Sequence, residues 1–234
     1  MTPVPFDSVR FLPCGDTGLC VEFGSIIDRP TSARVVALGK ALDHAALPGV
    51  QETVPTYRSL MVHYDPLQTT AETLESQIRT LLKRDGETTP GREGTSWRLP
   101  VCFDGPDLEA VASWGNMTPE DLVAILTSTP LHVYMLGFAP GQPYLGDLPQ
   151  ALDIPRRETP IPRIEAGSVV VATGKVTLYP IANPTGWHVV GRTPVSLFDP
   201  SHTPPGLLAA GDTVTFEAVD AQRYDALLQE ASAS

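Results

Sequence analysis

The sequence predicts an α+β protein in two parts, a small N-terminal α+β part and a β-rich C-terminal part closed into a barrel. Three observations predict it. Residues 9–84 alternate strand-like and helix-like apolar patterns in the order ββαββα. Residues 85–96 read DGETTPGREGTS, polar, rich in Gly and Pro and free of apolar residues, as a linker would be. Beyond them come short apolar runs bounded by turn residues, the pattern of a β-rich domain with irregular connections. The expected domains are residues 1–88 and 89–234.

Each element has its own local reason. Val9–Leu12 and Leu19–Phe23 form a hairpin around Pro13-Cys14-Gly15-Asp16, with Leu19, Val21 and Phe23 on one face by the strand period of two. Thr31–Ala46 is a helix with Val35, Leu38 and Leu42 on one side, ended by Pro48-Gly49. Val50–Tyr57 and Leu60–Tyr64 are strands. Thr69-Thr70-Ala71-Glu72 reads as a capping box opening a helix to Arg84, with Leu74, Ile78 and Leu81 at helical spacing. The unit resembles a ferredoxin-like sandwich. In the second part, Trp97–Phe103 is a strand and Asp107–Trp114 a short helix. Thr118 caps the next helix, with Pro119 in its first position. His132–Phe138 and Thr213–Val219 are strands, and Ala221–Glu230 is a terminal helix.

Composition narrows the function classes. The net charge of −11 argues against a general nucleic-acid binder, which carries a basic face. Arginine outnumbers lysine 13 to 3, and its planar fork suits carboxylate and phosphate. Three cysteines without a CxxC pair fit neither a disulfide framework nor a zinc site, and they read as small buried apolar residues. MTPVPFDSVRF has no signal-peptide pattern, and no apolar stretch reaches bilayer length, so cytoplasmic placement is expected.

The densest information lies between Gly137 and Asp199, which hold nine of the 24 prolines and seven of the 19 glycines. Val169-Val170-Val171, Leu178-Tyr179 and Trp187–Val190 punctuate this stretch with strand-like runs, so it reads as folded, tightly shaped loop on a β scaffold. Its charges balance, five basic against five acidic, on an otherwise acidic chain. Such a patch could accept an anionic small molecule. There is no phosphate loop, since Gly174-Lys175 is followed by Val176, and no GxGxxG or GxSxG motif. The five histidines show no metal-ligand spacing; His132 and His188 lie in strands of this half. Arg156-Arg157 follows Pro155 and Arg163 follows Pro162, so a stiffened backbone presents these side chains at a reduced entropic cost of gripping an anion. They either grip a ligand or hold their own loops, and the same two roles are open to Arg192 in Gly191-Arg192-Thr193-Pro194. Tyr144, Tyr179 and Trp187 either wall a pocket or pack in a core.

Six elements in this order, GF-x-PG-x-PYLG, PRR, AGS, YP, GW and GRTP, resemble one family over nearly the whole chain. It is the family of allophanate hydrolase subunit 1, also described as the B subunit of bacterial ATP-dependent 5-oxoprolinase. It includes a sporulation-kinase inhibitor, KipI, and the corresponding half of the urea carboxylase carboxyltransferase domain, subdomains C and D. The resemblance implies a cyclophilin-like β-barrel after the α+β domain. It implies a subunit, inactive alone, that helps cleave 5-oxo-L-proline to L-glutamate with ATP hydrolysis. The ATP site is shared with partner subunits, and this chain brings no metal site and no biotin attachment. The implied partners are the A and C subunits of 5-oxoprolinase, which are allophanate hydrolase subunit 2-like and LamB/YcsF-like proteins. On this reading Arg156, Arg157, Arg163 and Arg192 bind substrate or anion together with Tyr144, Trp187 and His188, and Gly137, Phe138, Pro140, Gly141, Pro143 and Gly146 shape the pocket loop. No catalytic residue is assigned. Arg157→Ala is expected to fold normally and lose assembled activity. The chain departs from the family pattern at Gln142, where an aromatic is usual, at Glu165, and at Lys175-Val176-Thr177, where Gln-Thr-Gly is usual. Leu126-Thr127-Ser128 stands where a His is common. Carboxyl transfer in a biotin-dependent urea or allophanate system, inhibition of a histidine kinase by binding, and prolyl isomerisation are the alternatives.

Overall fold

The computed structural model describes residues 9–85 and 94–232. The chain divides into two compact units, Met1–Glu93 and Gly94–Ser234. Most of the expected linker and both sides of the expected boundary at 88/89 lie outside the described residues.

The first unit is β1 (Arg10–Pro13), β2 (Gly18–Glu22), α1 (Arg29–Ala45), β3 (Val50–Pro55), β4 (Ser59–Tyr64) and α2 (Ala71–Asp85). Its sheet has the order β1-β2-β4-β3, antiparallel throughout. β4 therefore lies between β2 and β3, the split β-α-β of ferredoxin-like folds, and β1 takes the edge beside β2. Leu19, Val21, Leu60 and Val62 face Val35, Leu38, Leu42, Leu74 and Ile78 of the two helices in one core. One cap differs from expectation. The amide of Thr73 bonds the Thr70 hydroxyl at 3.2 Å, so Thr70 rather than Thr69 starts α2, whose first residue is Ala71.

The second unit begins with β5 (Ser96–Val101), α3 (Leu108–Trp114), α4 (Pro119–Ser128), β6 (Leu131–Leu136) and β7 (Pro143–Gly146). A 3-10 turn at Gln150–Leu152 leads to β8 (Ile161–Ile164), β9 (Ser168–Ala172), β10 (Lys175–Leu178), β11 (Asn183–Thr185) and β12 (His188–Arg192). β13 (Thr213–Ala218) and α5 (Ala221–Ser232) follow. Thr118 caps α4 as expected, in a reciprocal box with Asp121. Seven strands form one sheet in the order β12-β9-β10-β7-β6-β13-β5, antiparallel except for the β13–β5 pair. The sheet nearly closes on itself: Cys102, just past β5, exchanges two 2.9 Å backbone hydrogen bonds with Arg192 at the end of β12. Gly191 permits that closure, because a Cβ there would stand 2.6 Å from the Cys102 carbonyl oxygen. β8 and β11 pair as a separate two-stranded ribbon.

β9 is buried on both faces, which is why it reads as an unbroken valine run. Val169 and Val171 enter the main core with Val133, Leu145, Val176 and Phe216. Val170 and Ala172 turn the other way, into a small second core with Ile164, Tyr179, Trp187 and Val189. That second core is the floor on which the candidate site is built.

Candidate functional site

An open cleft of about 250 Å³ lies over this smaller core, lined by Phe138, Tyr144, Arg156, Tyr179, Thr185 and Trp187, with Pro160 and Pro184. Four of the residues expected in the site meet here: Phe138, Tyr144, Arg156 and Trp187. A larger hollow of about 360 Å³ lies between α5 and Pro194–Ser196. It holds none of the expected residues, and its one carboxylate, Glu230, is 3.2 Å from Arg223.

The walls of the cleft bond each other. Trp187 packs edge-on against Tyr144, with centroids 6.1 Å apart, and Phe138 against Tyr179 at 6.4 Å. The buried Tyr179 hydroxyl donates to Thr185 Oγ1 at 3.0 Å, and the same oxygen accepts the Trp187 amide at 3.0 Å. Burial, reinforced by the Tyr179 hydroxyl and opposed by Arg156, pushes the Tyr144 phenol above its ordinary pKa. Tyr144 therefore stays a neutral hydroxyl. Phe138 is held in the left-handed region at φ 70° and is 69% exposed. A bulky residue in that conformation stores strain, and strain of this kind gathers at functional sites.

The four candidate arginines fall into different environments. Arg156 is exposed, and its guanidinium carbon lies 5.7 Å from the centre of the Trp187 ring. Among the described residues it forms no ion pair. Arg157 Nη1 lies 2.5 Å from Asp107 Oδ1. Arg163 Nε lies 3.2 Å from Glu165 Oε1. Arg192 Nη2 lies 2.8 Å from Asp104 Oδ2, and its guanidinium also covers the Tyr224 ring at 4.1 Å. None of these three lines the cleft. Their partners Asp107 and Asp104 are not among the residues that the sequence points to, because an acidic residue that far along the chain gives no local signal.

His188 also lies outside the cleft lining; its Nε2 is 2.9 Å from the Pro155 carbonyl oxygen. In the loop between β6 and β7, Phe138 alone reaches the cleft. The Gly137 amide bonds Gln142 O at 3.0 Å and the Gln142 amide bonds Ala139 O at 3.1 Å, which folds the loop tightly. Gly141 sits at φ 73° with its missing Cβ position 2.8 Å from Phe198, so the loop is closed against that segment. Pro140 is exposed, and Pro143 and Gly146 are buried. Two of the departures from the family pattern touch: buried Gln142 Nε2 lies 3.1 Å from Thr177 Oγ1. The turn at Gly174-Lys175 is no phosphate cradle, because Lys175 Nζ donates to Thr173 O at 3.0 Å within a hairpin turn. Among the described residues no cluster of His, Cys, Asp or Glu is placed to hold a metal, and no helix is long and apolar enough to cross a membrane.

Residues 9–208 match the family described as carboxyltransferase domain, subdomain C and D. A curated relative from Bacillus subtilis (strain 168), named as the B subunit of 5-oxoprolinase, is 36% identical over 93% of this chain and 96% of its own. A relative of the same name from Escherichia coli O157:H7 is 33% identical over 86% of this chain and 92% of its own. The solved structure of TTHA0988 matches with a TM-score of 0.77 and 32% identity, over 91% of this chain. The matching part makes up 40% of the TTHA0988 chain.

Proposed function

The chain belongs to the carboxyltransferase domain family, subdomains C and D, and from that premise we propose that it is the B subunit of an ATP-dependent 5-oxoprolinase. The observation that carries the reading is the near full-length similarity to two relatives bearing that name. The cleft supports it. It joins one guanidinium without a carboxylate partner among the described residues to a wall of aromatic rings, which suits a small ring with an anionic group.

In the proposed reaction the lactam oxygen of 5-oxoproline takes the γ-phosphoryl group of ATP, leaving ADP. Water then attacks the activated carbon, the ring C–N bond breaks, and glutamate and phosphate are released. This chain would bind and orient. Arg156 would pair with the carboxylate or the transferred phosphoryl group, Tyr144 would donate a hydrogen bond as a neutral phenol, and the rings would keep water from one face. Among the described residues the chain offers no phosphate cradle, so the reading assigns most of the ATP site to the partner A and C subunits. Cytoplasmic placement and a heteromeric assembly belong to the same proposal.

The test is glutamate release from 5-oxoproline and ATP by this chain, by its partners, and by all together. Activity in the full mixture alone is the expected result. The family's own description favours a second reading, carboxyl transfer in a biotin-dependent system. Co-elution of the three proteins without lactam cleavage, together with carboxylation of urea when a biotin carboxylase is added, would replace the first reading by the second.

A further inference from the structure

We propose that His188 is a positioning residue that acts through Arg156, holding the segment Pro155–Arg157 so that the guanidinium stands over Trp187, ready for an anion. The proposal rests on the 5-oxoprolinase reading only for the identity of that anion.

Two short segments face each other, and each is fixed on both sides of its central residue. In the first, Arg156 lies between Pro155 and Arg157. The Pro155 carbonyl is bonded by His188 Nε2 at 2.9 Å. The Arg157 amide donates to Gly186 O at 2.8 Å. In the second, Trp187 lies between Gly186 and His188, the two residues that make those bonds. Asp107 locks the pair together. One of its carboxylate oxygens takes Arg157 Nη1 at 2.5 Å, and the other accepts the Val189 amide at 2.8 Å. The backbone amide of Asp107 donates to Val189 O at 2.9 Å. Between these fixed points the Arg156 guanidinium comes to 5.7 Å from the centre of the Trp187 ring. A cation placed in advance loses less entropy when it meets its ligand.

The chemistry of the imidazole fits this role better than a direct contact with substrate. A carbonyl oxygen only accepts, so His188 Nε2 carries the ring proton. Nδ1 is buried without a hydrogen-bond partner among the described residues. Neither nitrogen is open to the cleft, whose lining does not include His188. The glutamine amide N–H is the nearest replacement for an Nε2–H donor, so Gln should keep the clamp where Ala cannot.

The experiment uses the assembled enzyme carrying His188→Gln, His188→Ala, Arg156→Ala or the double variant His188→Ala/Arg156→Ala. His188→Ala is expected to raise KM for 5-oxoproline about tenfold with kcat within about twofold, the order of change for a weakened charged hydrogen bond. His188→Gln is expected to stay within about twofold of the parent in both. In the Arg156→Ala background the His188→Ala change should add nothing, because residues acting as one unit are not additive. An unchanged KM in His188→Ala, or full additivity with Arg156→Ala, overturns the proposal. If the parent enzyme does not cleave 5-oxoproline, the substrate reading fails by itself. The clamp is then read in the chain alone, from the ring-current shift that Trp187 imposes on the Arg156 side-chain protons. Parent and His188→Gln should show that shift and His188→Ala should lose it; a shift kept in His188→Ala overturns the clamp.

Discussion

Arg157 and Arg156 are neighbours in sequence with opposite duties. Arg157 meets Asp107, whose side chain is 13% exposed and which also holds the start of β12. Arg157→Ala removes the partner of a largely buried carboxylate, so it is expected to cost about 1–3 kcal/mol of stability, checked by urea unfolding of the isolated chain. This differs from the expectation that Arg157→Ala folds like the parent. The sequence shows that Pro-Arg-Arg is stiff and cationic. It does not show which arginine is paired, because Asp107 is 50 residues away and no local pattern joins the two. Tyr144 gives a pH prediction at the same scale. Its folded pKa is raised, chiefly by burial, so its stabilising contribution is present below the ordinary tyrosine value near about pH 10 and is lost as pH rises through the folded value. The difference in tyrosinate absorbance between parent and Tyr144→Phe should show one phenol titrating later than the exposed ones. A Tyr144 that titrates with the exposed tyrosines would mean that the cleft wall is open to water.

At the scale of elements, α4 shows how a local signal survives folding. Thr118 Oγ1 accepts the Asp121 amide at 3.1 Å and Asp121 Oδ2 accepts the Thr118 amide at 3.1 Å. The bond from the Thr118 amide, and after it a second from the Thr118 hydroxyl to Asp121 Oδ2 at 2.9 Å, hold the Asp121 carboxyl below its ordinary pKa. A lowered carboxylate pKa stabilises above the unfolded value and stops doing so as pH falls through the folded one. The helix start should therefore loosen only in acid below about pH 4, visible in the Thr118 amide resonance. Thr118→Ala should cost about 1 kcal/mol and let the Asp121 carboxyl rise toward its ordinary value. A Thr118→Ala chain with parent stability would contradict the cap. Strands with regular patterning are equally legible: β2, β4 and β9 lie within two residues of their apolar runs. β8 and β11 are not, because Pro162 and Pro184 interrupt them. They pair only with each other, as a ribbon outside the main sheet, where proline costs few ladder bonds.

For the whole molecule, alternation of strands and helices foretells the first unit, and dense Pro and Gly foretell a shaped β-rich second one. Neither foretells that a two-faced β9 builds a second core and sets Tyr144, Tyr179 and Trp187 around one cleft. That depends on sheet order, with β10 pairing both β9 and β7. The relatives are named as subunits, and the cleft brings one cation without an ion pair among the described residues rather than a complete reaction centre, so activity is expected of the assembly. The central claim is that Arg156 in this cleft meets the anion of the substrate. The most direct measurement is kcat/KM for glutamate release from 5-oxoproline, with ATP saturating, in assemblies carrying the parent chain or Arg156→Ala. Loss of a charged hydrogen bond worth about 1.5–3 kcal/mol predicts a fall of roughly 10- to 150-fold, with the variant chain folded and still assembled. Equal kcat/KM in the two assemblies would contradict the account.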